Sequence, residues 1–197
     1  MAEKLVKNMT KFECLTQKKF QRGFSLIEVL VALVILVIGL IGIFNLHIVA
    51  KRSSFESFQQ TQASYYANDI INRMKLNRTQ LASYNGDYTG SQTAITPVSP
   101  ACEGGTLCTP TQLVAWDLYE WRSAFSGEDE IVGTQNVGGL DTPSACIQVT
   151  DNDVLVVIAW RGIRKTAIDS SKIVDTSPKC GANKENRRIF SIKTVII

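Results

Sequence analysis

The amino-acid sequence predicts an α+β chain: a long N-terminal helix, membrane-spanning in its first half and amphipathic in its second, packed on a small antiparallel sheet with one further short helix. Three observations carry this reading. Phe24 to Ala50 is an apolar run with a single acidic side chain and no Lys or Arg, and helical periodicity continues beyond it. Thr109-Pro110-Thr111-Gln112 opens a second helical pattern. After Gly127 the chain changes to short runs rich in β-branched residues, separated by turn formers. The organisation that follows is a basic stretch 1–23, an apolar helix 24–50 and a globular domain 51–197 that includes the amphipathic half of the helix.

The run FSLIEVLVALVILVIGLIGIFNLHIVA is long enough to cross a bilayer, because about 20 apolar residues at 1.5 Å each match a hydrocarbon core about 30 Å thick. Lys18, Lys19 and Arg22 precede it, and such flanks stay cytoplasmic, which places the C-terminal part on the other side. A secretory signal peptide would end in small residues after the run; Lys51 and Arg52 stand there instead. From Phe55, large side chains recur at Phe58, Tyr65, Tyr66, Ile70 and Met74, mostly at steps of three, four or seven, which predicts one apolar helix face. No proline interrupts Phe24 to Ala82, so a single helix of roughly 58 residues is expected.

Tyr84-Asn85-Gly86-Asp87-Tyr88-Thr89-Gly90, then Pro97, Pro100 and Gly104-Gly105, predict a long loop. In the second helix Pro110 takes the first helical position, Gln112 the third, Val114, Leu118, Trp121 and Phe125 form the apolar stripe, and Gly127 supplies the stop. Ala145–Thr150 and Val154–Arg161 flank Asp151-Asn152-Asp153 as a hairpin, and Arg188–Ile197 is suited to a further antiparallel strand.

The formal charge of +3 conceals an asymmetry. Residues 1–23 hold six of the 21 basic and two of the 18 acidic side chains, leaving 15 against 16 for the rest. That balance argues against a nucleic-acid-binding surface, which needs clustered Lys and Arg. Of five cysteines, Cys14 lies in the basic stretch and Cys102, Cys108, Cys146 and Cys180 lie beyond the apolar run. An even number in an exported domain predicts disulfides. Three connectivities are open; Cys102 with Cys108 and Cys146 with Cys180 is the preferred one. No histidine lies near them, so no metal site is expected.

Gln21-Arg22-Gly23-Phe24-Ser25-Leu26-Ile27-Glu28-Val29-Leu30 is the most informative segment. It resembles the type III signal of type IV prepilins and pseudopilins: a basic leader, Gly before the cut, Phe after it, Glu at the fifth mature position and an uninterrupted apolar run. The resemblance implies that a prepilin peptidase removes residues 1–23, that Phe24 is N-methylated, and that Glu28 serves subunit assembly by pairing with a neighbour's amino terminus. A carboxylate in an apolar helix costs about 2.5–3.5 kcal/mol and calls for such a partner. The 23-residue leader is longer than is common, which leaves Met9 as an alternative start. Asn45 stands where major pilins usually carry proline, with Gly39 and Gly42 as the nearest weak points, a departure that disfavours a major subunit. The membrane block, Ala67-Asn68-Asp69-Ile70-Ile71-Asn72-Arg73-Met74, and Cys108 with Ala115-Trp116-Asp117-Leu118-Tyr119-Glu120-Trp121 are similar to the minor pilins called PilV.

Other motifs have plainer readings. Trp116 and Trp121 point about 140° apart on a helix, so core packing is preferred to a carbohydrate-stacking pair. Asp151-Asn152-Asp153 lacks the Gly and distal Glu of a calcium loop and reads as a turn. Asn77-Arg78-Thr79 matches a glycosylation sequon, a common triplet. The only histidine, His47, lies in the apolar run, and no nucleophile motif exists, so neither catalysis nor a cofactor is expected.

The resemblance implies a minor pilin of a type IV pilus that joins other minor pilins in a complex priming assembly and stays at the fibre tip. Its implied partners are those minor pilins, the major pilin, the prepilin peptidase, the inner-membrane assembly platform and a tip adhesin. It would wait in the inner membrane, domain in the periplasm, and move into the fibre. The alternatives are a minor pseudopilin of type II secretion, which genomic neighbours would separate, and a membrane-anchored binding module that never polymerises.

Overall fold

The computed structural model describes residues 23–90, 95–128, 130–165, 180–181 and 186–197. The readings placed on residues 1–22, among them the basic flank and Cys14, lie outside the described residues. The chain divides into two compact units, one ending at His47 and the other beginning at Ile48.

Helix α1, Leu26–Leu76, contributes to both. In the first unit it is unbroken through Gly39 and Gly42, and every residue is exposed. It starts where the Ser25 carbonyl accepts the Glu28 and Val29 amides at 3.0 and 3.3 Å.

In the second unit α1 buries Gln59, Ala63, Tyr66, Ala67, Ile70, Ile71 and Met74, a stripe at steps of three and four. It ends at Leu76, short of Ala82. Asn77 leaves helical geometry at φ −122°, ψ 47°, and residues Arg78–Tyr84 form a 3-10 helix. The cause is tertiary: Asn77 is buried, and its side-chain amide donates to the Pro110 carbonyl at 2.8 Å. Local propensity alone gave no reason to stop there.

The loop expected over residues 84–90 contains a strand. β1, Gly86–Thr89, pairs with β4, Ser144–Thr150, setting Asp87 opposite Cys146 and Tyr88 opposite Ala145. Four residues rich in turn formers carry no strand signal of their own, and β4 supplies the ladder.

Helix α2, Pro110–Ser126, forms as the capping box dictates: the Thr109 hydroxyl accepts the Gln112 amide while the Gln112 side chain accepts the Thr109 amide. Gly127 ends it with φ 73°. A short hairpin, unforeseen from sequence, follows as β2 (Ile131–Val132) and β3 (Gln135–Asn136).

The main sheet is antiparallel in the order β1-β4-β5-β6, with β5 at Asp153–Arg161 and β6 at Arg187–Val195. Thr150 pairs with Asp153, so the expected three-residue turn is two residues, with Asp151 left-handed at φ 54°. Ala145, Ile147, Val154, Val156, Ile158 and Trp160 join the buried face of α1 and Val114, Trp121 and Phe125 of α2 in one core. Cys146, Val157 and Cys180 form a smaller cluster on the other side of the sheet.

Candidate assembly helix and its anchoring domain

Gly23 and Phe24 precede the first helical residue, outside any helix or strand. Phe24 is 85% exposed, and among the described residues nothing lies within 4 Å of where a Gly23 side chain would sit. Glu28 stands exposed in the first turn of α1, where a carboxylate is also favoured by free backbone amides. From Gly23 to Phe55 no residue is buried. This is the one helix among the described residues long and apolar enough to cross a membrane. Such a surface exceeds the patches that water-soluble monomers usually expose and fits membrane anchoring or packing against other apolar helices.

Within the second unit α1 is held by specific bonds. The Gln59 side chain is buried and completes a two-way bond to one loop, donating to the Gly139 carbonyl and accepting the Asp141 amide, both at 3.2 Å. The indole of Trp121 donates to the Tyr66 carbonyl at 2.8 Å, and Ala63 and Ala67 keep that face of the helix low. The Gln59 loop is close-packed: a Cβ on Gly139, at φ 72°, would stand 2.5 Å from the Phe125 carbonyl oxygen. The predicted apolar face of α1 is corrected here. Tyr66, Ile70 and Met74 are buried, but Phe55, Phe58 and Tyr65 are 43%, 56% and 67% exposed, because the stripe facing the core runs through Gln59, Ala63 and Ala67 instead.

A polar cluster fastens α1 to α2 and to the 3-10 helix. Arg73 reaches Glu120 at 2.6 Å, Asp69 at 3.2 Å and Asp117 at 3.4 Å. The Tyr84 hydroxyl donates to Asp117 at 2.5 Å, and the Asn77 amide approaches that hydroxyl at 3.4 Å. Burial pushes the Asp117 carboxyl above the ordinary aspartate range, against the pull of Tyr84 and Arg73. Burial, reinforced by the bond to Asp117, likewise holds the Tyr84 phenol above its ordinary value.

The structure joins Cys102 to Cys108 and Cys146 to Cys180, six and 34 residues apart. The second bridge ties β4 to residue 180. The sequon is closed, since the Asn77 amide is buried and engaged with Pro110. Asp151 and Asn152 form the β4–β5 turn. Trp121 lies in the core, whereas Trp116 is buried outside it, its ring 5.4 Å from that of Tyr119. Among the described residues no group of three or more His, Cys, Asp or Glu is placed to hold a metal.

Sequence reading missed Gln59 and the Arg73 cluster. The spacing of Asp69 and Arg73, one helical turn apart, was the only local trace of the latter. In comparison with known families, residues 18–44 match the prokaryotic N-terminal methylation motif. Residues 45–119 match the family described as type IV pilin Tt1218. Comparison with curated proteins and with solved structures gave no significant match.

Proposed function

We propose that the chain, whose residues 18–44 and 45–119 match the N-terminal methylation motif and a type IV pilin family, is a minor type IV pilin, processed between Gly23 and Phe24, that assembles with other pilins, helps to prime a fibre and remains at its tip. The observation that carries this reading is an apolar helix exposed on every face, with Glu28 as its one charge, joined to a domain that needs no such cover for its own core.

Processing removes the basic stretch and creates a positive amino terminus on Phe24, N-methylated in the mature subunit. The helix then waits in the inner membrane with the domain in the periplasm. Extraction into the fibre exchanges lipid contact for packing against neighbouring helices, and Glu28 pairs with the amino terminus of the adjacent subunit in a low-dielectric setting. Unbroken helix through Asn45 supports a minor rather than a major subunit. The companions in this reading are other minor pilins, the major pilin, the prepilin peptidase, the assembly platform and a tip adhesin.

Glu28→Ala tests the mechanism. Expression, insertion and cleavage to Phe24 should be unchanged while the amount in sheared fibres falls, because an unpaired buried amino terminus costs on the order of 3–5 kcal/mol. Immunoblots of membrane and sheared-fibre fractions measure the ratio, and equal incorporation of the variant overturns the pairing. Terminal sequencing that finds a mature start other than Phe24 overturns the processing site.

A further inference from the structure

We infer that the end of the globular unit next to the apolar run is a docking surface for anionic phospholipid headgroups, formed by Lys51, Arg52, Arg161, Arg164, Lys165 and Arg188 around the exposed side chain of Ile163. The inference rests on the reading of residues 24–50 as membrane-inserted.

Three elements meet at this end, and the contacts between them are specific. Glu56 of α1 accepts the Arg188 guanidinium of β6 at 2.9 Å and the Arg164 amide of the loop after β5 at 3.3 Å. Arg161, the last residue of β5, pairs with Asp141 at 2.9 Å, and the Asp141 amide donates to Gln59, one turn of α1 beyond Glu56. The Gly162 amide donates to the Asn186 carbonyl at 2.7 Å, which closes the β5–β6 end. Arg52 lies four residues before Glu56, on the same helix face. Ala50, the last residue of the apolar run, is six positions before Glu56, about 9 Å along the axis. A membrane whose surface lies at Ala50 therefore brings this cluster within about one Debye length of its headgroups.

The charge distribution is polarised. Among the described residues six bases stand here against Glu56 and Asp141, each already paired with an arginine, while the other described residues hold six basic and ten acidic side chains. Among the described residues Lys51, Arg52 and Arg164 make no ion pair. At the other end of β5, about 27 Å away, the turn carries Asp151 and Asp153. Ile163 is 42% exposed between Arg161 and Arg164, an apolar side chain in a basic collar, as interfacial segments arrange them. Adjacency to the apolar run and this exposed isoleucine favour lipid over a neighbouring protein's acidic face. Electrostatic docking is also reversible, which suits a subunit that leaves the membrane.

The test uses the full chain carrying Cys14→Ser and Ile163→Cys, labelled at 163 with a fluorophore and reconstituted in nanodiscs containing a headgroup-labelled quencher lipid. Flotation with zwitterionic vesicles checks insertion separately from docking. Quenching should be strong in discs containing phosphatidylglycerol, weak in phosphatidylcholine alone, and abolished by high salt in the otherwise unaltered chain. Adding Lys51→Gln, Arg52→Gln and Arg164→Gln should shift the docked-to-free ratio roughly fivefold for each charge removed. Equal quenching in both discs overturns the inference. So does shielding of the label that appears only when a second pilin is added, which would assign the surface to a protein neighbour.

Discussion

The two halves of α1 show how one kind of secondary structure can serve two opposite purposes. In the first unit, Leu26 to His47 present apolar side chains in every direction and the helix buries none of them. In the second unit the helix is poorer in apolar residues, yet it buries seven, two of them alanines and one a glutamine. The first half leaves its apolar surface uncovered, which fits cover by lipid or by other helices. The second half is complete, because Gln59, Tyr66 and Arg73 are each matched by a particular group of the domain. Perturbations of the second half should therefore be read in folding, and perturbations of the first in assembly.

The largest effect on folding is expected from Trp121→Ala. It removes a fully buried ring, its edge-on contact with Phe125 at 4.9 Å and the bond to the Tyr66 carbonyl. Urea unfolding of the detergent-solubilised chain, followed by near-ultraviolet circular dichroism, should show a loss of about 3–5 kcal/mol. Cys146→Ala with Cys180→Ala should come close behind. The bridge closes a loop spanning 34 positions, and chain entropy sets its contribution at about 3–4 kcal/mol in the same measurement. Removing Cys102–Cys108, a loop spanning six, should cost about 2 kcal/mol. Equal effects of the two bridges would break the loop-length account.

Tyr84→Phe should cost about 1–3 kcal/mol, since it leaves the buried Asp117 carboxylate short of a donor. It also carries a pH signature. The folded phenol is held above its ordinary value of 10.0, so its contribution is complete below that pH and is lost as pH rises through the folded value. The unaltered chain should lose stability in alkali, and Tyr84→Phe should flatten that slope.

Asp117 has the same sign at the acidic end. Its carboxyl titrates above its ordinary 3.8 in the folded state, so its contribution falls as pH rises through the raised value. The stability of Asp117→Asn relative to the unaltered chain should increase from about pH 4 upward and then level off. A difference that stays constant across this window would show that burial does not dominate at Asp117. The smallest effect sharpens the contrast between the halves: Glu28→Ala should leave the unfolding curve of the domain unchanged within about 0.5 kcal/mol while depleting the fibre fraction.

What the sequence determined by itself is what depends on neighbours in the chain. The helix through the apolar run, the capping box at Thr109 and Gln112 and the Gly127 stop all rest on spacing over a few residues and stand where they were read, and the β4–β5 hairpin, of the same origin, differs only in a turn one residue shorter. The tertiary structure decided the rest. Asn77 ends α1 because Pro110, 33 residues away, accepts its side chain; Gly86–Thr89 becomes a strand because β4 offers an edge. Gln59 displaces Phe55, Phe58 and Tyr65 from the buried face because a glycine loop 80 residues away accepts its amide at close range. Arg73 gathers Asp69 from its own helix but Asp117 and Glu120 from another. Partners distant in sequence leave no periodicity in either segment, so a local pattern has no means of recording them, whereas a buried polar group must find them in space to offset its lost hydration.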